Sequence, residues 1–279
     1  MRVIAARTVR DAVERLVLEA NTRLRPDVRA ALQTAAAREK KKIGRAMLHA
    51  VAENARVAAR ERLAICQDTG LPVVFAEIGH RVAVAEPLVE LIKRAAAAAY
   101  RRYFFRASIQ PDPLRREKKM SYFPGVVHID IVRGERLRLW LLPKGFGCEN
   151  KSQLRMFNPT APLAEVENFI VESVRSAGAS ACPPFVVGVG IGGTQDCAAL
   201  LAKKSLLRRL NVRNRDQWLA GLEERLLRRI NALGVGPFGF GGSTTALGVA
   251  VLEQPTHIAG LPVAVNISCH ALRSAQAII

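Results

Sequence analysis

The sequence predicts an α/β fold: a mixed β-sheet core flanked by helices, with a helical N-terminal segment. Three observations predict it. Residues 1–62 carry apolar positions at helical spacing without a strand-like run. Beyond residue 63, apolar runs such as VVFAEIG and PPFVVGVGIGG alternate with amphipathic helical stretches. The chain has 279 residues, 49% of them hydrophobic, ample for a buried core. The expected division is a helical segment 1–62 and an α/β domain 63–279; one continuous domain 1–279 is the alternative.

The elements follow in order. DAVERLVLEANTRL places Val13, Leu16, Val17 and Leu24 near one helical face. Pro26-Asp27 restarts a helix, and a third runs through GRAMLHAVAENARVAARER. CQDTGLP reads as a turn before the strand VVFAEIG. Pro87 opens the helix LVELIKRAAAAAYRRYF, and residues 106–125 read as a loop rich in proline. VVHIDIV and RLRLWLLPK alternate around the turn RGER, which predicts a hairpin. The loop GFGCENKS follows. Pro162–Ala177 predicts a helix, CPPFVVGVGIGG a turn, a buried strand and a glycine-rich exit. TQDCAALLAKKSLLRRL predicts a helix capped by Thr194, and a further helix ends at Gly234. The strands ALGVAVLE and PVAVNIS lead to Cys269-His270. No internal repeat or low-complexity linker is visible.

No apolar run approaches the roughly 18–20 residues of a membrane span, and the charged start lacks the apolar block of a secretory signal. A soluble cytoplasmic protein is expected. The net charge of +18, from 42 Lys+Arg against 24 Asp+Glu, suits an anionic partner: nucleic acid, an acidic protein or acidic metabolites. The same excess also suits solvated helix faces. The basic residues are spread along the chain, and the 5% of aromatics do not interleave with them as a base-stacking platform requires. Nucleic-acid binding therefore ranks low.

Gly188, Gly190 and Gly193 spell GxGxxG between a strand and a helix. A dinucleotide site also needs an acidic residue about 20 positions on, to hold a ribose. The sequence there is LLRRLNVRN, so close packing of strand and helix explains the glycines better.

Five cysteines, at 66, 148, 182, 197 and 269, form no CxxC pair and no plausible disulfide framework. Cys66 and Cys182 sit in turns beside strands and Cys269 at a strand end, all with polar or proline neighbours. Cys197, within DCAALLAKK, fits a structural thiol, and Cys148 is open to either assignment. Three thiolates suit an iron–sulfur cluster with one open iron acting as a Lewis acid. Gln67 and Asp68 follow a ligand candidate directly, although an aspartate in QDTG also suits a turn that bonds its own backbone. Arg106 could clamp a carboxylate or be one more surface arginine. His257 could transfer protons or be structural. PKGFGCENKS could bind an anion or simply leave a strand.

Five motifs, ICQDTG at 65–70, PKGFGCENKS at 143–152, ACPPFVVGVGIGGT at 181–194, GPFGFGGSTTALGV at 236–249 and HIAGLPVAVNISCHALR at 257–273, resemble in order the alpha subunit of class I fumarate hydratase. The similarity runs from about residue 40 to the C-terminus, and the wider family includes the alpha subunit of L-tartrate dehydratase. ENKS and GVGIGGT look more like the fumarase branch. The resemblance implies a [4Fe-4S] cluster on Cys66, Cys182 and Cys269, with Cys148 and Cys197 outside the ligand set. It implies a substrate pocket lined by Gln67, Asp68, Arg106, Gly145 or Gly147, and His257, with Asp68 and His257 as the catalytic pair. It further implies reversible hydration of fumarate to L-malate, a tricarboxylic acid cycle step. The family's beta part supplies a threonine base and further cationic contacts. This chain ends soon after Cys269, so a separate beta subunit is expected as partner, in a heterotetramer or on a homodimer of alpha chains. One stretch departs from the pattern: EKKMSYFPG stands where the family carries an asparagine-rich NTGDNTP-like segment. That departure keeps L-tartrate dehydratase and a mesaconate-type hydratase as alternatives. A non-catalytic iron–sulfur protein with a nucleic-acid-binding surface is the alternative from another class.

Overall fold

A computed structural model describes residues 1–279. In chain order the first elements are β1 (Arg2–Ile4), α1 (Ala6–Thr22), α2 (Pro26–Arg38), α3 (Lys42–Glu61), β2 (Leu71–Gly79), β3 (Val82–Val84) and α4 (Leu88–Arg102). Then come β4 (Val126–Val132), β5 (Leu137–Lys144), α5 (Phe146–Glu149), β6 (Gln153–Phe157), α6 (Leu163–Ala177), β7 (Phe185–Gly192) and α7 (Gln195–Ser205). The last are α8 (Gln217–Asn231), β8 (Ala246–Gln254), β9 (Leu261–Ser268) and β10 (Ala275–Ile278). Helices and mixed sheets together make the expected α/β fold. No helix is long and apolar enough to cross a membrane.

The chain divides into two compact units. The first comprises Met1–Arg25, Ala55–Phe146 and Arg273–Ile279; the second comprises Pro26–Asn54 and Gly147–Leu272.

In the first unit a four-stranded sheet has the order β10-β5-β2-β4. β2 pairs antiparallel with β5 and parallel with β4, while β10 pairs antiparallel with β5. The predicted hairpin is thus corrected, because β2 lies between the two alternating strands. Strand alternation reports which side chains are buried and says nothing about which neighbour supplies the hydrogen bonds. The core lies between this sheet and α1 and α4. Val9, Val13, Leu16 and Val17 of α1 recur at helical spacing and are buried with Leu91, Ile92, Ala95, Ala96 and Ala99 of α4. The small alanines let the two helices approach closely, and Leu137, Leu139 and Leu141 of β5 close the core from the sheet.

In the second unit the order is β6-β9-β7-β8, with β7 antiparallel to β9 and parallel to β8. α6 and α8 supply Val166, Ile170, Val174, Leu222, Leu226 and Ile230 to a core against Val187, Val189, Val265 and Ile267. Asp216 starts α8 by accepting the backbone N–H groups of Trp218 and Leu219. Thr194 occupies the N-cap of α7, but its side chain caps no backbone N–H; its hydroxyl lies 3.2 Å from Cys197 Sγ.

The GxGxxG glycines have a packing explanation. A Cβ on Gly188 would sit 2.1 Å from the carbonyl oxygen of Ala202, and one on Gly190 2.0 Å from that of Ala198. Only bare backbone lets α7 lie so close to β7.

Candidate functional site

In the first unit the expected residues converge on the turn that follows α3. Asp68 uses both carboxylate oxygens. Oδ1 accepts the Gly70 N–H at 3.0 Å, and Oδ2 accepts the Phe146 N–H at 2.9 Å. The first bond is the local turn bond that an aspartate at this place makes readily. The second joins the turn to the KGFG loop, which the pairing of Leu71 with Lys144 brings alongside. Gly70 is required here. It has φ +74°, and a Cβ would fall 2.8 Å from the Pro143 carbonyl carbon. A Cβ on Gly145 would come 3.1 Å from Asp68 Oδ2, so only a small residue leaves that oxygen approachable. Gln67 is exposed beside this carboxylate, and Cys66 is half-buried.

Thr69 links the turn to Arg106. Its hydroxyl oxygen accepts the Arg106 N–H at 3.1 Å, while the Arg106 side chain is exposed. Beneath the turn, the Tyr100 hydroxyl donates to the Thr69 carbonyl at 2.9 Å and receives Asn21 Nδ2 at 3.5 Å. Full burial pushes the Tyr100 pKa up to about 12, so the phenol stays protonated and remains a donor. Arg273 donates from Nη2 to the Asp68 carbonyl at 2.8 Å.

In the second unit, Cys182 and Cys269 flank adjacent strands. Cys182 lies ahead of β7 in a left-handed conformation (φ 56°, ψ 63°) and is exposed. Cys269 follows β9 and is half-buried. Because β7 and β9 run antiparallel, with Val186 opposite Ser268, the start of one meets the end of the other. His270 Nδ1 lies 3.1 Å from the Cys182 carbonyl oxygen, and its ring packs 5.0 Å from Phe238. Cys148 is buried in the apolar core and donates its S–H to the Ala181 carbonyl at 3.2 Å. Cys197 is half-buried on α7. Gly147 has open space around its Cα.

His257 is placed differently. It is exposed in the turn before β9, where its Nδ1 accepts the Ala259 N–H at 3.1 Å. Cys269 lies beyond the other end of that strand. At roughly 3.3 Å per residue, β9 separates them by about 20 Å or more, so this unit does not bring His257 to its two cysteines.

Glu39, in the second unit, was not singled out from the sequence. It is buried, and its carboxylate accepts the Lys41 N–H and both the N–H and the hydroxyl of Ser243. Burial alone would raise its pKa, but the donors from Lys41, Ser243 and Thr244 outweigh that and hold it below the usual carboxylate value. It thereby fastens the glycine-rich loop before β8. A Cβ on Gly242, at φ +134°, would overlap this carboxylate at 2.6 Å. Thr69, Tyr100 and Arg273 were likewise unforeseen. Thr69 and Arg273 lie inside motifs already singled out, but only their partners in space distinguish them from their neighbours.

Residues 10–278 match the family model for fumarate hydratase (Fumerase). The chain belongs to this family. It is a family of hydro-lyases, enzymes that add water across a double bond or remove it. A Methanocaldococcus jannaschii protein provisionally named as L(+)-tartrate dehydratase subunit alpha is 39% identical over 274 residues, 96% of each chain. The L(+)-tartrate dehydratase subunit alpha of Escherichia coli K12 is 28% identical over 256 residues, 91% of this chain and 84% of the relative.

The five thiols are all free. No group of three or more His, Cys, Asp or Glu side chains stands gathered as a ready metal site. Cys66 belongs to the first unit, Cys182 and Cys269 to the second. The donor chemistry nevertheless fits a cluster. These three lie outside regular secondary structure and reach the surface in full or in part, whereas Cys148 is enclosed by apolar side chains.

Proposed function

We propose that the chain is the alpha subunit of a two-subunit iron–sulfur hydro-lyase that interconverts fumarate and L-malate. The carrying observation is the first-unit turn, where the Asp68 carboxylate accepts the Phe146 N–H of the KGFG loop and the adjacent Thr69 hydroxyl accepts the Arg106 backbone N–H. Cys66, Cys182 and Cys269 would hold a [4Fe-4S] cluster, which when bound supplies an open iron as Lewis acid for the departing or entering hydroxyl. Arg106 presents an exposed guanidinium suited to a substrate carboxylate. Asp68 is held by two backbone donors, and each oxygen keeps acceptor capacity for a substrate proton. Gln67 and the backbone at Gly145 and Gly147 complete the contacts. His257 is the second proton-transfer residue of this scheme, although its own β9 carries it away from Cys269. The relatives' designation as alpha subunits supports a beta-type partner.

Dehydration of L(+)-tartrate is the second candidate reaction, favoured by the names of those same relatives. Both reactions remove or add water at adjacent carbons of a C4 dicarboxylate, so the same residues serve either. The chain would be co-produced with its beta-type partner, reconstituted with iron and sulfide without air, and assayed on fumarate, L-malate and L(+)-tartrate. Turnover of fumarate and L-malate well above tartrate is expected. Turnover of tartrate alone would transfer the assignment to the second reaction. An iron–sulfur-loaded pair inactive on all three would refute the hydro-lyase assignment.

A further inference from the structure

Arg273 closes the motif HIAGLPVAVNISCHALR and is given no role by the proposed chemistry. It is only 4% exposed, yet it carries a full charge, because a guanidinium is not deprotonated in a protein. Its one hydrogen bond runs from Nη2 to the Asp68 carbonyl at 2.8 Å, and its Nε and Nη1 atoms are buried without a protein partner. Burying a cation this way is costly unless it secures something. A residue needed only to fill space would be apolar here. What the guanidinium touches is the backbone of the residue whose two carboxylate oxygens hold the Gly70 and Phe146 amides. The turn has a second support from below, the Tyr100 hydroxyl on the Thr69 carbonyl. Two consecutive carbonyls, of Asp68 and Thr69, are thus pinned by buried donors. Pinning them fixes the direction in which the Asp68 side chain leaves the backbone.

We propose that Arg273 is a positioning residue: through its bond to the Asp68 carbonyl it aims the Asp68 carboxylate at the KGFG loop and at substrate. As regards catalysis, this rests on the hydro-lyase function proposed above. Arg273→Met keeps much of the apolar stem and removes the donor. Arg273→Lys keeps a charged donor with a different reach. Hydrogen exchange of the full chain, read by mass spectrometry, reports the Gly70 and Phe146 amides directly. Arg273→Met should accelerate exchange in peptides covering 66–72 and 144–148 by about tenfold or more, with β7 and the α1–α4 core unchanged. Arg273→Lys should fall between that variant and the wild type. In the loaded complex, Arg273→Met should lower kcat by about 10–100-fold with little change in KM, as for the loss of an orienting partner. Unchanged exchange at the two segments would overturn the proposal. So would uniform acceleration across the first unit, or an Arg273→Met chain that fails to fold beside an Arg273→Lys chain of wild-type exchange, since either makes the residue merely structural. A wild-type pair without hydro-lyase activity, combined with the local exchange effect, would refute the proposed function and leave the anchoring of Asp68 standing.

Discussion

The two units build the same sheet by different packing. In each, a central strand is followed by a helical crossover to a parallel neighbour, and the next strand returns antiparallel on the other side. The series is β2, α4, β4, β5 in one unit and β7, α7 and α8, β8, β9 in the other. The central strands differ in texture. β2 buries Val73, Val74, Phe75 and Ala76, so side chains fill the space on both faces. β7 instead presents Gly188 and Gly190 to α7, and helix backbone fills that space. Topology is therefore shared while the spacing of helix from sheet is not, and a glycine pattern that resembles a nucleotide motif belongs to the spacing. The shared topology also explains where the candidate residues fall. Cys66 and Cys182 each precede the central strand, and the KGFG loop and Cys269 each follow the third strand. In an antiparallel pair those two places are neighbours.

The largest expected effect tests whether these equivalent positions are functionally equivalent. Cys66→Ser in one unit and Cys182→Ser in the other should each abolish iron–sulfur absorbance after anaerobic reconstitution, whereas Cys197→Ser should retain it. Retention in either of the first two would break the comparison at its centre. Next in size, Asp68→Asn should lower kcat by roughly 10²–10⁴-fold in the loaded complex while absorbance persists. An active variant would reduce Asp68 to its turn bonds with Gly70 and Phe146.

The packing difference is tested by Gly190→Ala, whose new Cβ meets the Ala198 carbonyl. Overpacking there should cost about 1–3 kcal/mol in urea unfolding. A loss below about 0.5 kcal/mol would mean that α7 does not need the bare backbone. The smallest effect concerns Glu39, a buried carboxylate of the second unit. Its pKa is lowered on folding from the ordinary 4.5, so its stabilisation is present above that value and is lost as the pH falls through the folded value. Glu39→Gln should cost about 1 kcal/mol at neutral pH and flatten the acid side of the stability profile. An unchanged profile would show that the Ser243 contacts add no stability.

Strongly periodic segments were legible from residues alone. Val13, Leu16 and Val17 mark α1, and Val166, Ile170 and Val174 mark α6, because burial on one helix face imposes a spacing that survives in the sequence. The short strands β1, β3, β6 and β10 were not legible. Three to five residues carry too little alternation, and each exists only because a partner strand offers its hydrogen-bonding edge. The misplaced hairpin has the same origin. Similarly, QDTG and KGFG could be singled out, but not the bonds from Phe146 to Asp68 or from Arg273 to the Asp68 carbonyl, which join residues 78 and 205 positions apart.

The sequence by itself determined the fold class, the family through five ordered motifs, and the candidate chemistry, since these depend on residue type and local spacing. Tertiary structure alone decided the rest. Pairing order made two sheets of one topology from a chain with no visible repeat. It sent β6 to the second sheet although β6 follows β5, and β10 to the first although it follows β9. It brought Asp68 to the KGFG loop and set His257 at the far end of β9 from Cys269. Strand neighbours are chosen by the burial of whole faces against distant helices, and no local pattern encodes that choice.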